Sequence, residues 1–485
     1  MNVFVIDVDS LRPDHLGIYG YDKPTSPNID DFAEDAIRFD RAYVANSPCM
    51  PSRAALLSGR HGVSNGIETH GPRSQVLSSP DSWTDYDGDI FDAAPQYRTL
   101  PEVFFDAGEA AVAVSSFPRH PSPWFYQLWT DFHHPREPTT GGPGETTDPS
   151  RLENFQTPRG STVTDLAIDA LDDLDRRGGD GLCYLQYWDP HAPYLRSDEA
   201  VEPFRDGELP PYPTQEQIET HREWDRWRSA ADPAFEHSLR HSVYDEVENR
   251  EALGELIAHY DAEISYVDEQ VGRFLDELRS RDLYADSLIV LTADHGEEFG
   301  EHGLYREHWS THDGTQRVPL LVKPPADSAG ASDADAAAAS AAGESRDALV
   351  TNVDYAATIA DYADLDASGA WQGASLRPVL EDPETDWRDR IVVDHGLYTA
   401  QRAVRTDRWK FVRTYDDGEW DLPERALFDM REDPWEQENL IDEHPEVAAE
   451  LEREMAVWVE HHVGEEGDEL RHVARSGPAG LELYQ

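Results

Sequence analysis

Read for its apolar positions alone, the chain opens on a strand pattern. Val3-Phe4-Val5-Ile6 is an unbroken apolar run that ends in the acidic pair Asp7 and Asp9. Similar runs recur at 110–115, 182–188, 287–293 and 318–323. Between them, apolar residues recur at helical spacing over 161–176 and 251–280, and over 29–37, where Ile29, Phe32, Ala33, Ala36 and Ile37 share a face. Ala54-Ala55-Leu56-Leu57 suits a helix that starts just after Pro51 and ends at Gly59. Strands alternating with helices predict an α/β fold: a large, mostly parallel sheet sandwiched by helices. In such sheets chemistry collects beyond the carboxyl ends of the strands. Three acidic or histidine pairs sit there: Asp7 with Asp9, Asp189 with His191, and Asp294 with His295.

From about residue 388 the pattern changes. Short apolar runs at 391–393, 403–405, 409–412 and 426–428, then a helical stretch over 446–460, predict an antiparallel α+β unit. The expected division is a large α/β domain over 1–387 and a smaller C-terminal subdomain over 388–485. Segments 71–98, 133–160 and 196–247 read as long insertions or lids. The Ala-, Ser-, Asp- and Gly-rich stretch 326–347 reads as a flexible surface loop.

Composition narrows the partners. A hydrophobic fraction of 39% over 485 residues supports a sizeable core. The net charge is −57, and lysine occurs only at Lys23, Lys323 and Lys410. Such a surface repels nucleic acid and anionic lipid, so neither is an expected partner. Acidic excess with few lysines resembles a salt-adapted, halophilic proteome, in which ions screen the self-repulsion. Two cysteines make no disulfide framework; Cys183, inside an apolar run, reads as a buried strand thiol. The N-terminus has no basic region or cleavage site, and no apolar stretch is long enough to span a bilayer. A soluble cytoplasmic protein is the expectation.

The stretch Ser47-Pro48-Cys49-Met50-Pro51-Ser52-Arg53-Ala54-Ala55-Leu56-Leu57-Ser58-Gly59-Arg60 carries the candidate chemistry. It resembles the signature C-x-P-S-R with a following [ST]-G-R of the sulfatase family, the formylglycine-dependent, arylsulfatase-like branch of the alkaline phosphatase superfamily. The resemblance implies that a formylglycine-generating maturation enzyme oxidises Cys49 to an aldehyde. A hydrated aldehyde carries two hydroxyls on one carbon, so one can attack sulfur and the other can expel sulfate by carbonyl collapse. The helix that follows supplies positive potential to an anionic ester, and Arg53 can hold the diol and the sulfate oxygens.

The opening Val8-Asp9-Ser10-Leu11-Arg12-Pro13-Asp14-His15-Leu16-Gly17 resembles the family's first metal motif, with Asp9 at the ligand position. Many members carry a second aspartate next; here it is Ser10, a departure shared with phosphonate monoester hydrolases and choline-type sulfatases. Asp7 lies on the same strand face as Asp9 but not at the family's position. Thr292-Ala293-Asp294-His295-Gly296-Glu297 resembles the second metal motif. The implied ligands are Asp9, Asp294, His295 and the modified Cys49, around one divalent ion. Calcium is the first expectation; Mg²⁺ also suits the oxygens, and the histidine raises the case for Mn²⁺.

Trp188-Asp189-Pro190-His191-Ala192-Pro193-Tyr194 resembles the family's H-x-P-Y element, which makes His191 a candidate to bond the ester or leaving oxygen. His308, nine residues ahead of Arg317, stands where the family usually has lysine. A protonated histidine there would serve the leaving oxygen over a narrower pH range. The family's G-K-W-H stretch is absent, with Arg119 or His120 as stand-ins, so the general acid stays open. Motifs near 405–411, 427–434 and Asn439-Leu440 resemble the family's closing scaffold. The aromatic group Trp124, Phe125, Tyr126 and Trp129 reads as packing. The expected activity is hydrolysis of a sulfate monoester of a small alcohol, phenol or sugar. A phosphonate monoester or phosphodiester hydrolase on the same fold is the alternative, and an inactive sugar-binding homologue a further one.

Overall fold

The computed structural model describes residues 1–70, 74, 77, 98–117, 122–135, 159–177, 180–223, 247–326, 341–418, 420–463 and 467–475. Its centre is an eight-stranded sheet. The order is Ser345–Arg346, Ile37–Phe39, Leu320–Lys323, Leu288–Ala293, Asn2–Val8, Gly181–Tyr187, Ala110–Ser115 and Asp131–His133. The strands from Leu288–Ala293 to Asp131–His133 are mutually parallel. Val3, Phe4, Ile6, Val112, Leu185 and Leu291 are completely buried, because helices cover the sheet and leave no polar face for these strands. The helix Gly160–Arg177 packs on the strands Ala110–Ser115 and Gly181–Tyr187 and against the long helix Arg250–Ser280. Cys183 is a buried thiol in this sheet, pushed up to about 12 by burial.

Three details differ from the sequence pattern. The helix expected over 29–37 is Pro27–Ala33; the chain turns at Glu34, and Ile37 begins the strand Ile37–Phe39. Apolar residues on both sides of the turn happen to continue one helical stripe, so periodicity alone joins them. The strand Leu320–Lys323 runs antiparallel to its neighbours, and Ser345–Arg346, at the end of the expected surface loop, forms the sheet's edge. The signature helix starts at Cys49 rather than after Pro51, and spans Cys49–Ser58. Gly59, at φ 60°, closes it in the left-handed conformation that glycine adopts without penalty.

The C-terminal part forms a second sheet, ordered Arg425–Asp429, Trp409–Asp416, Ala400–Thr406, Arg390–His395 and Asn46–Ser47. The first four strands are antiparallel, and the helix Pro445–His462 packs on them. The last strand comes from the N-terminal part and runs parallel to Arg390–His395. It directly precedes Pro48 and Cys49, so the small sheet braces the entrance of the signature helix. Segment 196–247 contains helices Asp198–Val201 and Gln215–Arg222 among its described residues. Segments 71–98 and 133–160 lie almost wholly outside the described residues. No helix among the described residues is long and apolar enough to cross a membrane.

Candidate active site

The strands Asn2–Val8 and Leu288–Ala293 are adjacent and parallel, so their carboxyl ends deliver Asp9 and Asp294 side by side. The turn after the first strand is held by Tyr260, whose hydroxyl donates to the Ser10 carbonyl at 2.7 Å and accepts from the Arg12 amide at 3.0 Å. Ser10 takes φ 58°, an uncommon conformation for a residue with a Cβ. Its amide donates to Asp294 Oδ1 at 3.2 Å, and its hydroxyl donates to Asp9 Oδ1 at 3.1 Å. Ser10 therefore orients both carboxylates.

Asp9, Cys49, Asp294 and His295 are all buried, and one ligand atom of each lies within 4.8 Å of the others. His295 Nδ1 donates to the Gly296 carbonyl at 2.8 Å, which leaves the Nε2 lone pair facing the group. That atom is 3.2 Å from Cys49 Sγ, 3.4 Å from Asp294 Oδ2 and 3.7 Å from Asp9 Oδ1. Burial and the charges of Asp9 and Asp294 push the Cys49 thiol well up, so it is a neutral S–H and a poor nucleophile as encoded.

Arg53, one turn along the signature helix, lies at the centre of the carboxylates. Its Nε donates to Asp7 Oδ2 at 2.8 Å and its Nη2 to Asp9 Oδ2 at 3.1 Å; Nη1 is 2.8 Å from Asp294 Oδ2. Its guanidinium also sits 4.4 Å from the centre of the Phe117 ring. Asp7 is thus the anchor of Arg53, helped by the Tyr184 hydroxyl, which also donates to it. It lies outside the ligand group. Three buried carboxylates face one guanidinium, and burial raises the proton affinity of all three. Asp294 Oδ2 and Arg53 Nη1 both lack a well-directed hydrogen bond. An excess of buried negative charge, a carboxylate oxygen without a hydrogen bond and a correctly oriented imidazole fit a divalent cation held by Asp9, Asp294 and His295.

His191 and His308 close the site. One ring nitrogen of each lies with Cys49 Sγ in a set spanning at most 4.8 Å. Their rings are 5.4 Å apart, and His308 stacks on His295 at 4.0 Å. His191 Nδ1 donates to the Ala192 carbonyl at 2.6 Å. Its loop is clamped by Arg196, whose Nη2 donates to Asp189 Oδ1 at 2.8 Å and whose Nε donates to Glu263. His308 Nδ1 lies 3.0 Å from Glu297 Oε1, and the Tyr194 hydroxyl donates to Glu297 Oε2 at 3.3 Å. Burial lowers His191 to about 4. Burial, then His295, His191, His395 and His70, holds His308 well below its ordinary value. This is opposite to the expectation of a protonated His308: burial disfavours the charge, and several of the groups around it are other imidazoles. Arg119 and His120 lie outside the described residues. Trp124, Phe125 and Trp129 are buried and pack edge-on or stacked with other aromatics, in accord with the packing reading.

Sequence reading missed Glu297, Tyr184 and the Ser10 turn. Glu297 carried a signal, since it directly follows the Asp294-His295-Gly296 motif. A second histidine group, His302, His312 and Glu436, also has ligand-like spacing. Its members are already neutralised: His302 Nδ1 is 2.9 Å from Glu298 Oε2, and Glu436 Oε1 is 2.9 Å from Lys410 Nζ. It is an ion-paired stack.

Comparison with known proteins gives the same direction. The family model described as "Sulfatase" matches residues 1–365, and the one described as "N-sulphoglucosamine sulphohydrolase, C-terminal" matches residues 300–461. An N-acetylglucosamine-6-O-sulfatase of Bacteroides thetaiotaomicron is 25% identical over 91% of this chain and 82% of its own length. An arylsulfatase of Clostridium perfringens is 24% identical over 91% of this chain and 90% of its own. The crystal structure of a phosphonate monoester hydrolase of Agrobacterium radiobacter superposes with a TM-score of 0.67 at 19% identity, covering 95% of this chain and 96% of that one.

Proposed function

The chain belongs to the sulfatase family of the alkaline phosphatase superfamily and is a sulfuric ester hydrolase; from that premise we propose that it cleaves sulfate monoesters of sugars at the Cys49 centre, with Cys49 converted to formylglycine. The observation that carries this reading is the convergence of Asp9, Cys49, Asp294 and His295 within 4.8 Å, with Arg53 among their carboxylates.

Asp9, Asp294 and His295 would hold the divalent ion, Ca²⁺ by its preference for oxygen, which would supply Lewis acidity and favour an ionised nucleophile near neutral pH. The formylglycine hydrate would supply a nucleophile and a route to sulfate release that needs no second attack at sulfur. The remaining work falls to side chains already in place. Arg53, held by Asp7 and Tyr184, directs charge at the sulfate oxygens. With Nδ1–H given to the Ala192 carbonyl and burial keeping the ring neutral, His191 Nε2 is left as an acceptor beside Cys49, suited to take a proton there rather than to donate to an ester oxygen. Burial pushes the Glu297 carboxyl well up and His308 well down, which favours the neutral pair in which the Glu297 carboxyl donates to His308 Nδ1 across 3.0 Å. In that neutral pair His308 Nε2 carries the ring hydrogen and can donate to the leaving oxygen. A histidine thereby does the work of the family's lysine without full charge.

A sugar ester is favoured by the likeness to the N-acetylglucosamine-6-O-sulfatase over most of both chains. The phosphonate reading keeps one supporting observation, Ser10 at a position the resemblance links to phosphonate hydrolases, alongside the shared fold. Release of sulfate from N-acetylglucosamine 6-sulfate and 4-nitrophenyl sulfate is compared with hydrolysis of a phenyl phosphonate monoester, on protein whose Cys49 peptide has been weighed. Sulfate esters should be the faster substrates by kcat/KM. Preference for the phosphonate, or full activity with an unmodified thiol, would overturn the proposal.

A further inference from the structure

Two residues before His308, the chain breaks the regular ladder of its hairpin. The strand Tyr305–Glu307 pairs antiparallel with Glu298–Phe299, and the register shifts between Tyr305 and Glu307. The bulged residue is Arg306, at φ 55°. Bulges re-aim side chains and gather beside active sites. An L residue adopts a left-handed backbone only where its surroundings hold it there. Here the flanking Tyr305 is buried, with its hydroxyl 2.8 Å from His221 Nδ1. The bulge is therefore fixed on one side by a locked ring.

Arg306 is half-buried, and it has no hydrogen bond or ion pair among the described residues. This is unusual in a chain with 98 acidic and 41 basic side chains. The half-buried arginines Arg38, Arg196, Arg377 and Arg388 each pair with a carboxylate. Arg306 is also electrically close to the site: its charge lowers the proton affinity of the Glu297 carboxyl and of the Tyr194 hydroxyl, the two groups behind His308. Nearby half-buried rings belong to Trp309, 4.2 Å from His308, and Trp188, 4.2 Å from His191. The Trp188 indole N–H also has no hydrogen-bond partner. An unpaired cation thus sits in the hairpin that leads to His308, beside the site whose two histidines are covered by the rings of Trp309 and Trp188.

We propose that Arg306 forms an anion subsite that recognises a second negative group, a carboxylate or a further sulfate, on the leaving group of the substrate. The proposal rests on the sulfatase reading and narrows it to sugar sulfates that carry an additional charge. An arginine offers paired donors that match either anion, which is why one residue serves both.

The test uses matched ester pairs that differ by one charge. One pair is glucosamine 2-N,6-O-disulfate against N-acetylglucosamine 6-sulfate. The other is a sulfated uronate against its methyl ester. Wild type, Arg306→Gln and Arg306→Lys are compared at one fixed salt concentration, because the −57 surface repels dianions more than monoanions. In at least one pair, Arg306→Gln should lower kcat/KM for the doubly charged ester by about ten- to a hundred-fold, as expected for loss of a charged hydrogen bond. The singly charged partner should lose much less, its residual change reflecting the shifted proton affinity of Glu297, and Arg306→Lys should fall between. The pair that responds identifies the anion. Equal loss on both members of each pair, or no wild-type preference for the charged member of either, overturns the subsite. Turnover of 4-nitrophenyl sulfate is read in parallel: a wild type inactive on every ester, with Cys49 converted and metal bound, sinks the sulfatase reading and the subsite with it.

Discussion

His302 offers a quantitative test of how the two sheets are joined. It sits between Glu298 of the active-site hairpin and Glu436, which follows the C-terminal sheet; its Nε2 lies 3.2 Å from the Glu436 carbonyl. Its ring stacks on His312 at 3.5 Å. Burial opposes protonation of His302, but Glu298, Glu436 and Glu301 prevail and raise it from 6.5 to about 9. The partner agrees in sign, since Glu298 is lowered, with His302 the chief charge responsible. His312, lowered by burial and by His302, stays neutral beneath it. At about 1.4 kcal/mol per pH unit, a rise of that size is worth about 3 kcal/mol. The group is a base with a raised value. Its contribution is therefore complete below pH 6.5, falls as pH climbs, and is gone above about 9. His302→Gln removes the charge and keeps a donor near Glu298. Urea denaturation followed by tryptophan fluorescence, on both proteins at pH 6 and pH 9.5, measures the effect. The variant should be less stable by about 3 kcal/mol more at pH 6 than at pH 9.5. Groups that do not feel His302 cancel in the comparison of the two proteins, and repeating it in a His312→Gln background removes the neighbour that His302 holds down. A deficit of equal size at both pH values refutes a charged His302.

At the active site, the peptide containing Cys49 from active protein should be lighter than encoded and should trap a hydrazine reagent, and Cys49→Ala should abolish turnover with an unchanged circular dichroism spectrum. Chelation should remove activity; Asp9→Ala and Asp294→Ala should each lower bound metal, measured by elemental analysis, whereas Asp7→Asn should spare the metal and lower kcat by loosening Arg53. Full metal occupancy in both Asp9→Ala and Asp294→Ala would refute their assignment as ligands. Loss of the Glu297 proton at high pH would draw the ring hydrogen of His308 to Nδ1 and silence Nε2, so His308→Lys should carry activity on an alkyl sulfate to higher pH, with a smaller effect on an activated aryl sulfate that needs less help at its leaving oxygen; an unchanged pH profile would remove His308 from the mechanism.

The central strands were readable because each is covered on both faces and so is written as an uninterrupted apolar run, as in Val3–Ile6 and Leu288–Leu291. Short strands were not. Asn46–Ser47 and Ser345–Arg346 have two residues each and no pattern of their own. They are strands only because Arg390–His395 and Ile37–Phe39, far away in the chain, present open edges to them. The former matters most for function, since it ties the C-terminal sheet to the residues just before Cys49. No local periodicity could have revealed that link.

The convergence of Asp9 and Asp294 was legible for a topological reason. Asp9 and Asp294 each follow a recognisable strand, and two adjacent parallel strands bring their ends together. The surrounding layer was not, because its chemistry depends on which groups face one another. Ser10 read as a lost carboxylate; in the folded chain its amide and hydroxyl steer the two that remain. Asp7 read as a spare acid; it is the counter-ion that keeps Arg53 in place. His308 read as a weaker lysine, a cation limited by pH. Its surroundings invert that logic: burial first, then four imidazoles, disfavour the charge, while Glu297 lies 3.0 Å from Nδ1. A lysine in this position would bring a full charge into the histidine cluster. The histidine instead brings a donor whose proton is backed by a carboxyl group, and the leaving oxygen needs only the donor.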